Sequence, residues 1–321
     1  MPKGVELLSG VQERLGPLRT WLFPPQLYLQ LADEAITAMA LDGRRIIWLE
    51  RVPLPQGLCE DGQVLRSDSL ADLLGDLLVA RGFAGARVAA VLPASASQWR
   101  EVRWPGGRWP DDPERILALN EAELHLESPL AYLDLHLIDL EREDAASIVV
   151  TVPTKVLESW IEVFAIAGIS LERMESAKVC ACRALQPLLE GGAPAGAPIG
   201  VLQVEPRRTS LTLLDKGVPV YERRLPGSDQ VAELIDELKR FNRFWREFRP
   251  GRGTPRLFLH GTGLHDADPL VDQLAVEGFS AELIDPLAKG WLVDQAPDPD
   301  KHPAGPALAP LWGLAAAEVT A

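Results

Sequence analysis

Cysteine is scarce in this chain of 321 residues, which contains Cys59, Cys180 and Cys182 and no others. An odd number of cysteines does not suit a disulfide framework, and Cys180 and Cys182 lack the two-residue spacer of zinc and redox motifs. Long apolar runs are missing as well, since no stretch approaches the about 20 residues that cross a bilayer. We therefore expect reduced thiols in a cytosolic setting and no membrane-spanning helix.

Positive charge is also in short supply. The chain has 32 Lys and Arg residues against 46 Asp and Glu residues, which gives a net charge of -14. Such a balance repels phosphate backbones, so nucleic-acid binding is disfavoured. No Walker loop, nucleophile elbow or Rossmann fingerprint occurs, and no residue spacing predicts a metal site. The first residues lack the pattern of a secretory signal.

The sequence does contain enough apolar residues, 47%, for two globular units. Small residues and prolines at 191–198 replace any periodicity and predict a linker between them. We assign residues 1–26 to an amphipathic N-terminal extension, which packs on its own domain or docks on a membrane surface or partner. The first unit then covers 27–190 and the second 199–293. Residues 294–321 form a proline-rich tail with a terminal helix that returns to the first unit.

Alternating patterns predict an α/β fold in both units. In the first unit, two apolar runs between Leu27 and Trp48 flank Asp42-Gly43, which predicts a β-hairpin. A helix is predicted from Ser69 to Arg81. Residues 86–175 then follow the order strand, strand, helix, strand, strand, helix, strand. In the second unit the predicted strands cover 199–204, 209–214, 218–225, 256–260 and 281–284, with helices at 230–248 and 269–277.

Three segments, at residues 28–41, 121–134 and 218–226, resemble sequences of the PilM family of type IV pilus assembly proteins. Residues 28–41 match the family's opening strand and turn, G-L-D-I-G-S-S-S-I-K-A-V-E-L, in length and apolar spacing. Residues 121–134 are similar to its E-A-x-x-x-I-P-x-P-L segment, and residues 218–226 are similar to its G-x-P-V-x-x-R-x-I-P segment. The resemblance implies a two-lobed actin-like (RNase H-like) fold with a small α+β subdomain, at about 86–175, inserted in the first lobe.

The same resemblance implies a function. It predicts a cytoplasmic scaffold, peripheral at the inner membrane, which binds a short N-terminal peptide of a PilN-like membrane protein. The pilus motor ATPase is a possible second partner, and a homo-oligomer is possible. Two alternatives remain open at this point: an active actin-like ATPase or kinase that uses ATP and magnesium, and the cytoplasmic part of a type II secretion L-type protein, which would continue into a membrane helix.

The residues at the family's nucleotide site depart from the pattern that binds ATP. Actin-like ATPases hold triphosphate and magnesium between two hairpin turns, which carry aspartates for the metal and glycines that let backbone N–H groups approach oxygen. The third element of that site, a glycine loop, survives in part. We therefore expect a degenerate site without ATP hydrolysis and without a cofactor, formed by Gln30, Ala32, Thr37, Gln203, Glu205, Gly261 and Gly263.

Each departure removes a specific contact. Gln30 and Gln203 stand where the family has its metal-side aspartates, and Glu205 stands where it has a glycine. Glu205 would place a carboxylate against phosphate. An alignment shifted by one or two residues would instead make Asp33 or Glu34 the metal-side acid.

Two further sets of residues are candidates for partner binding. Tryptophan and arginine are enriched at binding hot spots, and the resemblance places a peptide groove beside the insert, so we assign that groove or its rim to Trp99, Arg100, Arg103 and Trp104. The second set is the basic, aromatic run 239–249. Its aromatic residues recur at helical spacing, which indicates a core helix with a solvated basic edge, a site for an acidic partner or a site for anionic lipid.

Overall fold

The computed structural model describes residues 26–42, 45–103, 131–139, 146–190, 198–215, 218–251, 253–265, 268–290 and 303–319. Almost all of the predicted N-terminal extension and of the linker lies outside these ranges. In the described part of the chain no helix is long and apolar enough to span a membrane.

Strands and helices alternate within the described ranges, while the first of the two helices predicted within 86–175 lies outside them. The strands are β1 (Gln26–Leu31), β2 (Ala35–Asp42), β3 (Arg45–Pro53), β4 (Cys59–Glu60), β5 (Gln63–Val64), β6 (Arg87–Leu92), β7 (Gln98–Arg103), β8 (Ala131–Asp139), β9 (Ala146–Pro153), β10 (Ser170–Ser176), β11 (Ile199–Val204), β12 (Arg208–Asp215), β13 (Val218–Pro226), β14 (Arg256–His260) and β15 (Ala281–Leu283). The helices are α1 (Ser67–Ala80), α2 (Thr154–Ile166), α3 (Ala177–Ala184), α4 (Gln186–Glu190), α5 (Val231–Phe248), α6 (Pro269–Val276), α7 (Pro286–Lys289) and α8 (Ala309–Val319). Short 3₁₀ turns lie at Ala94–Ala96, Ser228–Gln230 and Gly305–Leu308.

The two lobes repeat one sheet topology. The first sheet has the order β3-β2-β1-β6-β10, and the second has the order β13-β12-β11-β14-β15. In both, the first three strands along the chain form an antiparallel meander, and the remaining two are parallel to the strand that opens the lobe. This repeated arrangement confirms the two-lobed actin-like α/β fold that the sequence predicts.

The outer face of each sheet is covered by that lobe's own helices. In the first lobe, Leu27, Leu29 and Leu31 of β1 point to the core beneath α1 and α2, where Trp160 is fully buried. In the second lobe, β11 directs Leu202 and Val204 to the core beneath α5 and α6. Successive strand residues face opposite sides of a sheet, so the alternate residues of β1 and β11 face inward.

The inner faces of both sheets pack on the helices that connect the lobes. Tyr28, Met39 and Val91 of the first sheet contact Cys180 of α3 and Trp312 of α8 in one cluster. A second cluster joins the start of α8 and the end of α3 to the second sheet, and contains Ala184, Leu185, Leu188, Val201, Leu214, Phe258, Ile284 and Ala309. Because α3 and α8 are shared, the relative position of the lobes depends on how these two helices cross.

The inserted subdomain contains a sheet of its own. Strands β7, β9 and β8 pair antiparallel in the order β7-β9-β8, apart from the main sheet of the first lobe. Strands β6 and β10, which flank this segment, belong to the main sheet. The separate sheet therefore spans Gln98–Pro153, a narrower segment than the insert expected at 86–175.

Candidate functional site

The hairpin between β11 and β12 places Glu205 at the edge of the interlobe cleft. The hairpin is tight, because the Glu205 N–H donates to the Arg208 carbonyl at 2.9 Å. The side chain of Gln203 donates to one carboxylate oxygen of Glu205 at 3.3 Å, and the Thr262 hydroxyl donates to the other. The carboxylate is thus held by side chains on both sides, in the position where the sequence comparison expects a phosphate-facing glycine.

The glycine loop after β14 packs on that hairpin. Gly261 has φ 125°, and a Cβ there would lie 2.2 Å from the Val204 carbonyl oxygen, so a side chain has no room. The Gly261 N–H donates to the Pro306 carbonyl at 3.0 Å, and the Gly263 N–H donates to the Val204 carbonyl at 2.9 Å. Both glycine N–H groups therefore bind the protein's own backbone, and close packing accounts for the Gly261 position without a ligand.

The hairpin of the first lobe holds the other three residues of the predicted nucleotide site. Gln30 of β1 pairs with Thr37 of β2, and the Ala32 N–H closes the turn on the Ala35 carbonyl at 3.1 Å. Thr37 is buried, and the Gln30 side-chain oxygen is buried with no hydrogen-bond partner among the described residues. These three residues lie at one turn of the first lobe, while Gln203, Glu205, Gly261 and Gly263 meet in the second.

Asp33, the alternative metal-side acid, has a structural contact. Its carboxylate accepts the Gly62 N–H at 2.8 Å, and the Gly62 carbonyl in turn accepts the indole N–H of Trp160 at 2.8 Å. This chain of contacts fixes the β4–β5 hairpin to the first-lobe core. In the described part of the chain, no group of three or more His, Cys, Asp or Glu side chains could hold a metal ion.

A small cavity lies between the lobes beside this cluster. Its volume is about 10 Å³, room for a single water molecule. The walls come from both lobes and from α3, and they are formed by Trp99, Lys178, Ala181, Cys182, Val201, Gln203, Ser210, Thr212 and His260. Burial lowers the pKa of His260 to about 4, so this imidazole is neutral at physiological pH.

Lys178 connects three parts of the molecule across the cleft. Its side chain, which is 9% exposed, donates to the Ser97 carbonyl at 3.1 Å and to the Glu222 carboxylate at 2.5 Å. Ser97 precedes β7 of the insert, Lys178 lies on α3, and Glu222 lies on β13 of the second lobe. The Ser210 hydroxyl also donates to Glu222, at 3.3 Å. The ion pair therefore bridges the lobes on the wall of the cavity.

Three of the four residues expected at the peptide groove lie on β7, in the described part of the chain. Trp99 of β7 lines the interlobe cavity, and its indole nitrogen is buried without a hydrogen-bond partner in the described residues. Arg100 and Arg103 follow on β7, an edge strand of the insert sheet. Trp104 lies outside the described residues. Whether Trp99, Arg100, Arg103 and Trp104 bind a peptide stays a prediction.

The thiols of the described structure are unsuited to nucleophilic chemistry. Burial raises the pKa of Cys59 and of Cys182 to about 12, and burial also raises the pKa of Cys180. A thiolate is the reactive form, so these cysteines are packing residues at neutral pH. Both Cys180 and Cys182 lie on α3, where Cys180 faces the interlobe core.

Comparison with known proteins locates the fold. No protein-family model matches the sequence, and no curated protein matches it. A solved chain of the PilM-PilN type IV pilus biogenesis complex superimposes with a TM-score of 0.68 at 19% identity, over 92% of this chain and 98% of that one. The two chains share one fold.

Two more distant structures also superimpose. The ethanolamine utilization protein EutJ from Carboxydothermus hydrogenoformans has a TM-score of 0.49 at 12% identity, over 91% of this chain and 89% of its own. The cytoplasmic domain of EpsL, an inner membrane component of the type II secretion system of Vibrio cholerae, has a TM-score of 0.46 at 12% identity, over 91% of this chain and 95% of its own.

The ion pair between Lys178 and Glu222 is expected to stabilise the packing of the two lobes. We expect Lys178→Met to lower the free energy of unfolding by about 1–2 kcal/mol, because Glu222 keeps its desolvation cost but loses its cation, while its partial exposure limits the loss. Urea unfolding measures the change, and small-angle scattering should show a larger radius of gyration. Arg81→Met, which breaks the exposed pair with Glu50, is the control. Equal effects of the two variants would contradict a special role for Lys178.

Proposed function

We propose that this chain is a non-catalytic scaffold of type IV pilus assembly. In this proposal it binds a short N-terminal segment of a PilN-like membrane protein and links that protein to the pilus motor. The support is the fold shared with a chain of the PilM-PilN complex over 98% of that chain, together with a cleft whose chemistry disfavours nucleotide. The chain would be held at the inner membrane by its partner.

The Glu205 carboxylate is the observation that carries the non-catalytic part of the proposal. It is fixed by Gln203 and Thr262, so it cannot swing away without breaking both contacts. At about 5 Å and an effective dielectric near 20, each phosphate charge would meet a repulsion of about 3 kcal/mol before screening. Several phosphate charges would multiply this cost, with no glycine N–H group free at Gly261 or Gly263 to offset it.

The cavity that Gln203 lines is too small for a nucleotide. Pockets that hold small-molecule ligands have volumes of about 300–1,000 Å³, while the cavity beside Gln203 and His260 has about 10 Å³. Opening it would require the Lys178–Glu222 bridge to separate. An active ATPase or kinase would also need an acid for magnesium, and the Asp33 carboxylate is already bound to the Gly62 N–H.

For the partner site we propose the groove, or its rim, beside β7, an edge strand of the insert sheet that also contacts β13 of the second lobe. Arg100, Arg103 and Trp104 would supply the charged and aromatic contacts. Trp99 would couple this site to the cleft, because it lies against the cavity wall that Lys178 and His260 share.

Calorimetry tests both halves of the proposal. We expect no heat of binding with magnesium and ATP, and micromolar binding of a peptide with the N-terminal sequence of the PilN-like protein. Trp104→Ala should weaken peptide binding at least tenfold, as loss of a hot-spot aromatic side chain does, while circular dichroism confirms the fold. Micromolar ATP binding or metal-dependent turnover would instead favour an enzyme. Unchanged peptide affinity in Trp104→Ala would disprove the residue assignment.

A further inference from the structure

Large apolar side chains that are exposed in the described structure concentrate on two outer faces. Eight such residues occur there; six of them lie on the outer helices of the two lobes, and a seventh, Leu65, lies two residues before α1. Leu65, Val79, Ile161 and Ile166 lie on or beside α1 and α2, and Phe244, Phe248 and Val276 lie on α5 and α6. Exposed apolar groups that cluster within a charged surface are typical of interaction sites.

The face on α5 and α6, which we call the basic face, carries the opposite charge to the rest of the molecule. Between residues 239 and 249 there are five basic residues and one acidic residue, in a chain of net charge -14. Lys239 pairs with Glu277 at 2.7 Å and Arg240 pairs with Glu237 at 2.5 Å. Arg243 and Arg246 are exposed and have no ion-pair partner in the described residues, so their charge remains available.

The basic face combines an aromatic ridge with a groove. Phe244 and Phe248 stack with ring centroids 5.5 Å apart, and the Arg249 guanidinium lies 5.0 Å from the Phe248 centroid. On the other side of the helix lies a groove of about 510 Å³ between α5 and the end of α6, lined by Lys239, Asn242, Arg243, Arg246, Glu247, Glu277 and Phe279. Because Glu277 is paired with Lys239, Arg243 and Arg246 outnumber the remaining carboxylate, and the groove is net positive. This groove, together with the aromatic ridge, suits a protein surface that combines carboxylates with aliphatic groups.

The face on α1 and α2, which we call the acidic face, has those properties. Asp68, Asp72 and Asp76 recur every four residues along one side of α1, which contains no Lys or Arg. Along a helix axis, residues four apart are about 6 Å apart and residues three apart are about 4.5 Å apart, so the spacing of Asp72 and Asp76 exceeds that of Arg243 and Arg246 by about 1.5 Å. Val79 follows these aspartates as an exposed apolar residue on the same helix, and Ile161 and Ile166 of α2 are exposed on the same lobe.

We propose that the basic face of one molecule binds the acidic face of a second copy of this chain. The faces cannot meet within one molecule, because each covers the side of its sheet that points away from α3 and α8. Contact between different faces is heterologous, so it leads to open chains or rings rather than a closed pair. Charge complementarity between the two faces supports this occupant, and the net charge of -14 disfavours nucleic acid.

The association should be weak and sensitive to salt. Two helices about 20 Å long and 10 Å wide cover about 400 Å² on each molecule, and about 800 Å² in total is below the roughly 1,200 Å² of stable interfaces. Surface charges at this distance are screened as ionic strength rises. Self-association would therefore become appreciable where a partner raises the local concentration.

Sedimentation velocity of the full chain tests the proposal with variants in which the charge of one face, or of both faces, is reversed. At 300 µM protein (about 3 × 10⁻⁴ M, in the range of weak interfaces), we expect the wild type to associate at low salt and to sediment as a monomer at high salt. Arg243→Glu with Arg246→Glu, or Asp72→Lys with Asp76→Lys, should each weaken association at least tenfold. The quadruple variant, in which both faces are reversed, should recover it.

Recovery of self-association in the quadruple variant distinguishes this interface from other possible interfaces. A monomeric wild type at low salt overturns the proposal, as does a folded quadruple variant that remains monomeric. Loss of association in the arginine variant alone would mean that the basic face binds a different surface, which also overturns it. Vesicles with anionic lipid serve as a further probe: binding of the wild-type monomer to them without self-association would assign the face to lipid.

Discussion

Gly313→Ala is expected to lower the free energy of unfolding by about 3 kcal/mol or more, although Ala in a helix is normally favoured over Gly by about 1 kcal/mol. A Cβ at this position would lie 1.8 Å from the Cys180 carbonyl oxygen. The clash is with backbone, so no change of the Cys180 side chain relieves it. Helices α3 and α8 would have to separate where both lobes pack on them.

A shift of α8 has a second cost. The Gly313 carbonyl accepts the Arg183 guanidinium at 2.8 Å, and the Leu314 carbonyl accepts Arg173 at 2.9 Å. Moving the helix would lengthen both bonds. Because native domains are stable by about 5–15 kcal/mol, a loss of this size should lower the melting temperature by several degrees and loosen the lobes.

Urea unfolding followed by tryptophan fluorescence measures the effect, with Gly75→Ala as the matched control. Gly75 also lies within a helix, but no atom outside its own helix lies within 4 Å of a Cβ built there. That variant should be unchanged or more stable by up to about 1 kcal/mol. If the two glycine variants have the same stability, the close crossing of α3 and α8 is wrong.

The regular elements could be predicted from sequence because their periodicity is strong. The strand Arg87–Leu92 has the predicted bounds, and α5 begins one residue after the predicted start and ends at Phe248 as predicted. The strands at the start of the first lobe are harder to predict. Two runs were predicted between Leu27 and Trp48, where the structure has three strands, because the β1–β2 turn at 32–34 contains no glycine or proline.

The connecting helix α3 could not be assigned from its sequence. Its small residues give it little amphipathic character, so Cys180 and Cys182 fitted a strand as well as a helix. Its burial comes from contact with α8, which lies over a hundred residues later in the chain. Packing of this kind depends on tertiary structure, and no local pattern records it.

The candidate site, too, has some features that the sequence indicates and others that only the structure shows. Substitution of the phosphate-binding pattern by Gln30, Gln203 and Glu205 could be seen in the sequence. The groups that hold Glu205 and close the lobes could not, because Thr262 lies 57 residues from Glu205 and Lys178 lies 44 residues from Glu222. Long-range pairs of single polar residues have no sequence signature. The sequence therefore predicts which residues occupy the hairpin turns, and the structure adds the contacts that hold Glu205 and Lys178.

Acidification should destabilise the closed cleft through His260. Its pKa is lowered to about 4 by burial, below the value of 6.5 of a free imidazole, so the unfolded state binds more protons between these two pH values. Stability from this group is complete above about pH 6.5 and is lost as the pH falls toward 4, by about 3 kcal/mol in total. Lys178, on the same cavity wall, adds a second positive charge that a protonated His260 would face.

Urea unfolding of the wild type and of His260→Gln, at pH 7 and at pH 4.5, isolates this contribution. The other titrating groups are common to both proteins, so the wild type should lose about 2 kcal/mol more than the variant between the two conditions. His265→Gln, which changes an exposed histidine in the loop after β14, is the control for the loss of a histidine side chain. Equal losses in the wild type and His260→Gln would mean that the imidazole gains a proton without cost, and hence that the cleft beside it opens to water in the native state.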